Sequence, residues 1–183
     1  MQINCVQGYV SVVYCIYNMI MEIDMYKVFQ IKISKEVSDY VNSNDQGHYG
    51  AEQKYPEYAA HMAVMRGAEG FEGEMFNHYT QVCEVATLNT EGNQLEEVFK
   101  ILNGYYYDNE TGKDTPFDEF VSGYKMKTIT RKNGEEVTLR DMRSLSVGDI
   151  VFDANNDSYH IVDLSGFKDI TLDVVIAGLE QVA

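Results

Sequence analysis

The chain has 183 residues, 45% hydrophobic and 23% charged, a composition that suits one compact domain with a real core. Its 14 Lys and Arg against 29 Asp and Glu give a formal charge of −15, which argues against whole-surface nucleic-acid binding, because phosphates need positive counter-charge. Two Pro and 14 Gly exclude a low-complexity chain, and Cys5, Cys15 and Cys83, with no C-x-x-C pair, form no disulfide framework and read as reduced thiols of a cytoplasmic protein.

Residues 1–24 are apolar, and Met1 to Met21 carry no charge. The segment lacks the basic start and small-residue cleavage site of a signal peptide, and Gln7, Gly8, Ser11 and Asn18 interrupt it as a membrane span. Two readings stay open: a buried β element built on Val10, Val12, Val13 and Ile16, or an extension upstream of a start at Met21 or Met25. Tyr26 to Ile33 alternates, with Val28 in one register and Phe29, Ile31 and Ile33 in the other, and predicts a strand. Ser34 to Tyr55 is polar and reads as a loop marked by Asn42, Ser43, Asn44, Asp45 and Gly47. Pro56 to Arg66 predicts a helix with Tyr58, Met62 and Met65 on one face, broken by Gly67, Gly70 and Gly73. Thr80 to Leu88 predicts a strand, and Asn93 caps a helix to Leu102 that ends at Asn103-Gly104.

Tyr105 to Gly123 reads as an acidic loop with a helical turn over 116–121. Met126–Thr130 and Glu136–Leu139 predict a hairpin turning at Lys132-Asn133-Gly134, Asn-Gly being a two-residue turn signal. Asp149–Asp153 and Ser158–Asp163 predict a second, turning through Ala154–Asp157. The expected class is α+β, a mainly antiparallel sheet with two or three helices packed on one face.

Charge divides the chain. Residues 36–120 hold 17 acidic side chains against Lys54, Arg66, Lys100 and Lys113. Residues 125–143 form a basic island of Lys125, Lys127, Arg131, Lys132, Arg140 and Arg143. Aromatic residues run through the acidic zone, Tyr49, Tyr55, Tyr58, Phe71, Phe76, Tyr79 and Tyr105 to Tyr107. Carboxylates with tyrosine suit recognition of a basic partner, although an acidic face that only solubilises the protein has the same composition.

No catalytic or metal motif emerges. His48, His61, His78 and His160 fit no zinc spacing, although His61 and His78 are candidates to converge on Cys83. Glu84 beside Cys83 works against a thiolate nucleophile. Asp153-Ala-Asn155-Asn-Asp157 opens like a calcium loop, but Ser158 and Leu164 stand where Gly and Glu are required, so a β-turn explains it better. No metal, cofactor or catalytic residue is therefore expected, and an enzyme is the lesser reading.

The segments Met142–Asp153 (MRSLSVGDIVFD) and Tyr159–Ile170 (YHIVDLSGFKDI), with Leu95–Asn103 (LEEVFKILN) and the strand Tyr26–Ile33, resemble the YodL-like domain. The resemblance covers most of residues 25–170, is most specific in its last thirty, and departs in insertions at 42–80 and 104–124. It implies one domain over 25–183 in which Leu145, Val147, Ile150 and Phe152 point inward, Gly148-Asp149 turns into a strand and Gly166 allows Phe167 to pack back. It also implies an origin in phages or conjugative elements, where such domains accompany anti-defence modules. An acidic freestanding member is similar in kind to anti-CRISPR proteins. The expected function is then non-catalytic inhibition, in a bacterial cytoplasm, of a Cas9-type effector or another basic nucleic-acid-binding protein. Glu69, Glu72, Glu74, Asp108, Glu110, Asp114, Asp118 and Glu119 would meet its cationic groove. The alternatives are weak DNA binding through the basic island and a small nucleic-acid-processing enzyme. No membrane partner is expected, and a homodimer is compatible with the aromatic content.

Overall fold

A computed structural model of the chain describes residues 23–43, 47–88, 92–104, 107–108, 113–114 and 117–171, so nearly all of the 1–24 segment, with its two readings, lies outside the described residues. Strand β1 (Ile23–Ile31) is the centre of a six-stranded sheet. It pairs with β2 (Tyr79–Leu88) on one side and β8 (Ile150–Asp153) on the other, and the order is β10-β9-β8-β1-β2-β5. Strands β9 (Ser158–Val162), β10 (Phe167–Ile170) and β5 (Val121–Ser122) complete it, every pair antiparallel. The α+β class with an antiparallel sheet is as the sequence predicts.

The helices divide between both sheet faces rather than covering one. The cause is the double register of β1: successive side chains of a strand point to opposite faces, and here both sets are apolar. Tyr26 and Val28 face one layer with Val85 and Val151, and α4 (Gln94–Leu102) closes it with Val98, Ile101 and Leu102. Phe29, Ile31 and Ile33 face the other with Ile150, Tyr159 and Ile161, closed by α3 (Pro56–Val64) through Ala60 and Val64 and by Phe76 from the 3₁₀ turn Gly73–His78. Each fully buried aliphatic side chain contributes about 1.5–3 kcal/mol. Most of the aromatic residues of the acidic zone are spent here. Phe76 stacks on Tyr79 at 5.8 Å and meets Phe29 at 5.4 Å and Tyr159 at 5.9 Å, while Tyr58 is buried against Val37 and Ala51. Tyr55 and Phe71 are half-buried; among those whose side chains are described, only Tyr49 is exposed.

Two further expectations need correction, while the predicted hairpin forms with its turn at Lys132-Asn133-Gly134. The loop 34–55 contains two helices, α1 (Lys35–Ser43) and α2 (Gly47–Lys54). The Ser34 hydroxyl accepts the Val37 N–H at 3.2 Å to start α1, and Val37 and Ala51 bury against Tyr58. Helix α3 stops at Val64, and Met65 is exposed rather than on its inner face. The hairpin of β6 (Met126–Thr130) and β7 (Glu136–Arg140) forms its own two-stranded sheet, a ribbon with every β6 residue exposed. Its Arg131 N–H donates to the Glu135 carbonyl at 2.8 Å, leaving a three-residue loop closed by Gly134 at φ 83°. A small pair, β3 (Tyr107–Asp108) and β4 (Lys113–Asp114), and the short helix α5 (Phe117–Phe120) lie in the acidic stretch. Among the described residues no helix is long and apolar enough to cross a membrane.

Candidate functional site

The polar groups of the molecule gather around residues 141–149, the run that leads into β8. The turn begins locally: the Asp149 N–H donates to the Ser146 carbonyl at 2.9 Å, and the Ser146 N–H donates back to Asp149 Oδ2 at 2.9 Å. Gly148 closes it at φ 86°, lying so near α3 that an added Cβ would stand 2.5 Å from Val64 Cγ2. Asp149 is fully buried. The Arg143 guanidinium grips both its oxygens, and Gln30 Nε2, reaching from β1, donates to Oδ2 at 3.0 Å. Gln30 also bonds the Arg143 backbone in both directions, at 3.1 and 3.2 Å, which fastens the turn to the central strand.

Two effects oppose each other at Asp149. Burial disfavours its charge, while Arg143 and the Ser146 and Gln30 hydrogen bonds favour it; burial wins and pushes the carboxyl up to about 6. Asp141, at the rim, shows the opposite. Lys32 Nζ and Lys127 Nζ donate to its two oxygens at 2.6 and 2.9 Å and hold it well below the usual carboxylate range, at about 2. Beside Asp141 and Arg143 opens a cleft of about 490 Å³ lined also by Lys32, His61, Met65 and Lys127. The His61 pKa is pulled down by its burial and by the Arg143 charge.

This arrangement revises the basic island. Arg143 is held by the buried Asp149, Lys127 belongs to Asp141, and Arg131 pairs with Glu135 at 3.1 Å. Arg140 lies over the Tyr124 ring at 5.5 Å. Lys125 and Lys132 are exposed on the ribbon. The acidic candidates are also separated. Glu69 and Glu72 border a groove of about 400 Å³ with Phe71, Lys168, Asp169 and Ile170 at the β10 edge, and Glu74 is exposed in the neighbouring 3₁₀ turn. Glu119 is exposed beside β5, at the other end of the sheet. Five strand spacings of about 4.8 Å place these edges roughly 24 Å apart. Asp108 and Asp114 lie in β3 and β4 and Asp118 in α5, their side chains outside the described set, as is Glu110 altogether.

The histidines do not converge. His61 lies on α3 while Cys83 packs in the core beneath α4, across the sheet. Burial, then Glu84 and Asp149, pushes the Cys83 thiol up to about 12, so it is an unreactive core residue. His48 pairs with the Tyr58 hydroxyl at 2.6 Å, and His160 lies between Ser158 at 2.9 Å and Asp169 at 2.8 Å. The calcium-like run is a turn organised by Asp153, whose Oδ1 accepts the Asn155 and Asn156 N–H groups at 2.9 and 3.2 Å. Among the described residues no three His, Cys, Asp or Glu side chains gather as a metal site requires.

Compared with family models, with curated proteins and with solved structures, the chain gives no match.

Proposed function

We propose that the chain is a non-catalytic binding protein of a phage or conjugative element that inhibits a bacterial defence nuclease of the Cas9 type in the host cytoplasm. The observation that carries this reading is the disposition of charge. At least six of the 14 Lys and Arg are neutralised within the molecule: Lys32 and Lys127 on Asp141, Arg66 on Glu52, Arg131 on Glu135, Arg143 on Asp149 and Lys168 on Asp163. Glu72, Glu74 and Glu119 stand exposed without an ion pair among the described residues. A chain of charge −15 so arranged projects a negative field, which steers it to the cationic troughs where an effector holds nucleic acid. The resemblance to the YodL-like domain supplies the mobile-element context.

The carboxylates at the two sheet edges make separate contacts, and the β10 edge, with Glu69, Glu72 and Glu74 near one groove, is the principal one. The triple variant Glu69→Lys, Glu72→Lys, Glu74→Lys is expected to weaken binding to a Cas9-type effector at least about tenfold and to abolish inhibition, with the circular dichroism spectrum unchanged. Glu119→Lys alone is expected to change affinity by less than about threefold. A folded triple variant that still inhibits would sink the reading. The exposed ribbon with Lys125 and Lys132 favours one alternative, contact with DNA by a basic β-hairpin. Submicromolar DNA affinity that falls steeply with salt would select it.

A further inference from the structure

We propose that the cleft between the end of β1, the end of α3 and the 141–146 segment is a binding site for a phosphate monoester of nucleotide size, independent of the effector-binding surface. Its volume of about 490 Å³ lies within the range of small-molecule sites. Three cationic side chains from separate parts of the chain converge on it: Lys32 after β1, Lys127 on the ribbon and Arg143 on the turn. Their placement is fixed from behind. Arg143 is locked by the buried Asp149, so the guanidinium forms the outward, positive end of that pair. Gln30 holds the backbone at Arg143 from the central strand. Arg143 is thereby held in position before any anion arrives.

Asp141 now occupies the anion's place. Both ammonium groups close on its two oxygens, at 2.6 and 2.9 Å. These ion pairs are 39% and 52% exposed on the lysine side and hence contribute little, whereas a phosphate dianion offers three acceptor oxygens to the same donors. The Asp141 carboxylate is thus an exchangeable internal competitor. His61 lines the same cleft, half-buried and with no hydrogen bond among the described residues, so its ring is available to an ester oxygen. The remaining wall mixes apolar side chains with Gln30 and Ser146. Ile33, Met65 and Met142 line it, and the thioethers are adaptable surfaces on which a flat ring can lie. Cations and methionines lining one cleft match a ligand with a phosphate head and an apolar body.

Isothermal titration calorimetry with AMP tests the assignment. The protein is expected to bind AMP with a Kd below about 1 mM, and several-fold more tightly than inorganic phosphate. Asp141→Asn, which removes the competitor, is expected to tighten AMP binding about three- to tenfold. The double variant Lys32→Gln, Lys127→Gln is expected to weaken it at least about tenfold, with an unchanged circular dichroism spectrum. A purely bracing Asp141 would leave no saturable heat in either the parent protein or Asp141→Asn, and that result overturns the proposal. So do equal affinities for AMP and inorganic phosphate, or AMP binding indifferent to the loss of both lysines. A 5′-phosphorylated oligothymidylate that binds as well as AMP assigns the ester to a strand end. Weaker binding assigns it to a free nucleotide, and either supports the site.

Discussion

Replacing Asp149 with Ala is expected to lower the unfolding free energy by about 1–3 kcal/mol, measured by urea denaturation. The carboxylate accepts from Arg143, Gln30 and the Ser146 backbone at once, and its loss leaves a guanidinium and a buried amide without their acceptor. The pH dependence has an equally definite sign. The folded-state pKa is raised from 3.8 to about 6 by burial, so this group favours the fold most below about pH 4, and that contribution is lost as pH rises through 6. The corresponding free energy is on the order of 3 kcal/mol between those limits. Asp141 and Asp163 run the other way. Both are held at about 2, Asp141 by Lys32 and Lys127 and Asp163 by the Ala68 N–H and Lys168, so their contributions are present above about pH 4 and are lost in stronger acid. In Asp149→Asn the stability gain on acidification from pH 7 to 5 is expected to vanish. If parent and variant keep the same slope there, Asp149 is not the group that titrates.

Gly148→Ala is expected to cost about 2–5 kcal/mol, although it adds one methyl group. Two causes combine. An L-residue at φ 86° carries a backbone cost of about 1–2 kcal/mol. The new Cβ would also stand 2.5 Å from Val64 Cγ2 and 3.0 Å from Val64 Cβ, an overpacking cost of about 1–3 kcal/mol. Gly166 separates the two, since its φ is 76° but nothing lies within 4 Å of its missing Cβ. Gly166→Ala should therefore show the backbone cost alone, and Gly148→Ala combined with Val64→Ala should recover part of the steric one. Equal losses at both glycines would mean that α3 moves aside freely, and that the turn is not wedged against it.

The parts of the fold legible in the sequence are those in which local chemistry and tertiary packing agree. Asn93 accepts the Glu96 N–H at the start of α4, and Val98 and Leu102 lie inward at helical spacing. The polar turn over 154–157 placed β8 and β9. Both registers of β1, by contrast, are apolar, and the expectation of helices on one face overlooked what that means for the second face. Helices α1 and α2 were hidden because they carry few apolar residues; Val37 and Ala51 hold them only once Tyr58 is in place. The acidic zone likewise looked like one surface because a sequence displays charge without position, and the sheet sets Glu69 and Glu72 at one edge and Glu119 at the other. The site at Asp149 was the least visible. Gln30 stands 119 positions away, and nothing in the pattern around Arg143 distinguishes a guanidinium committed to a buried partner from its exposed neighbours in the basic island.

The ribbon of β6 and β7 stands outside both hydrophobic layers, tied at its base by the Asp141 brace. Its hydrogen bonds can open while Val28, Val85, Ile150 and Val151 remain shielded from water. The molecule therefore has two tiers of cooperativity, an outer arm that frays with little penalty and a body that unfolds as one unit. Because Lys127 belongs to the arm and Lys32 to the body, any anion grasped by both would damp the arm's fluctuations, converting occupancy of a small cleft into the stiffness of a distant tip.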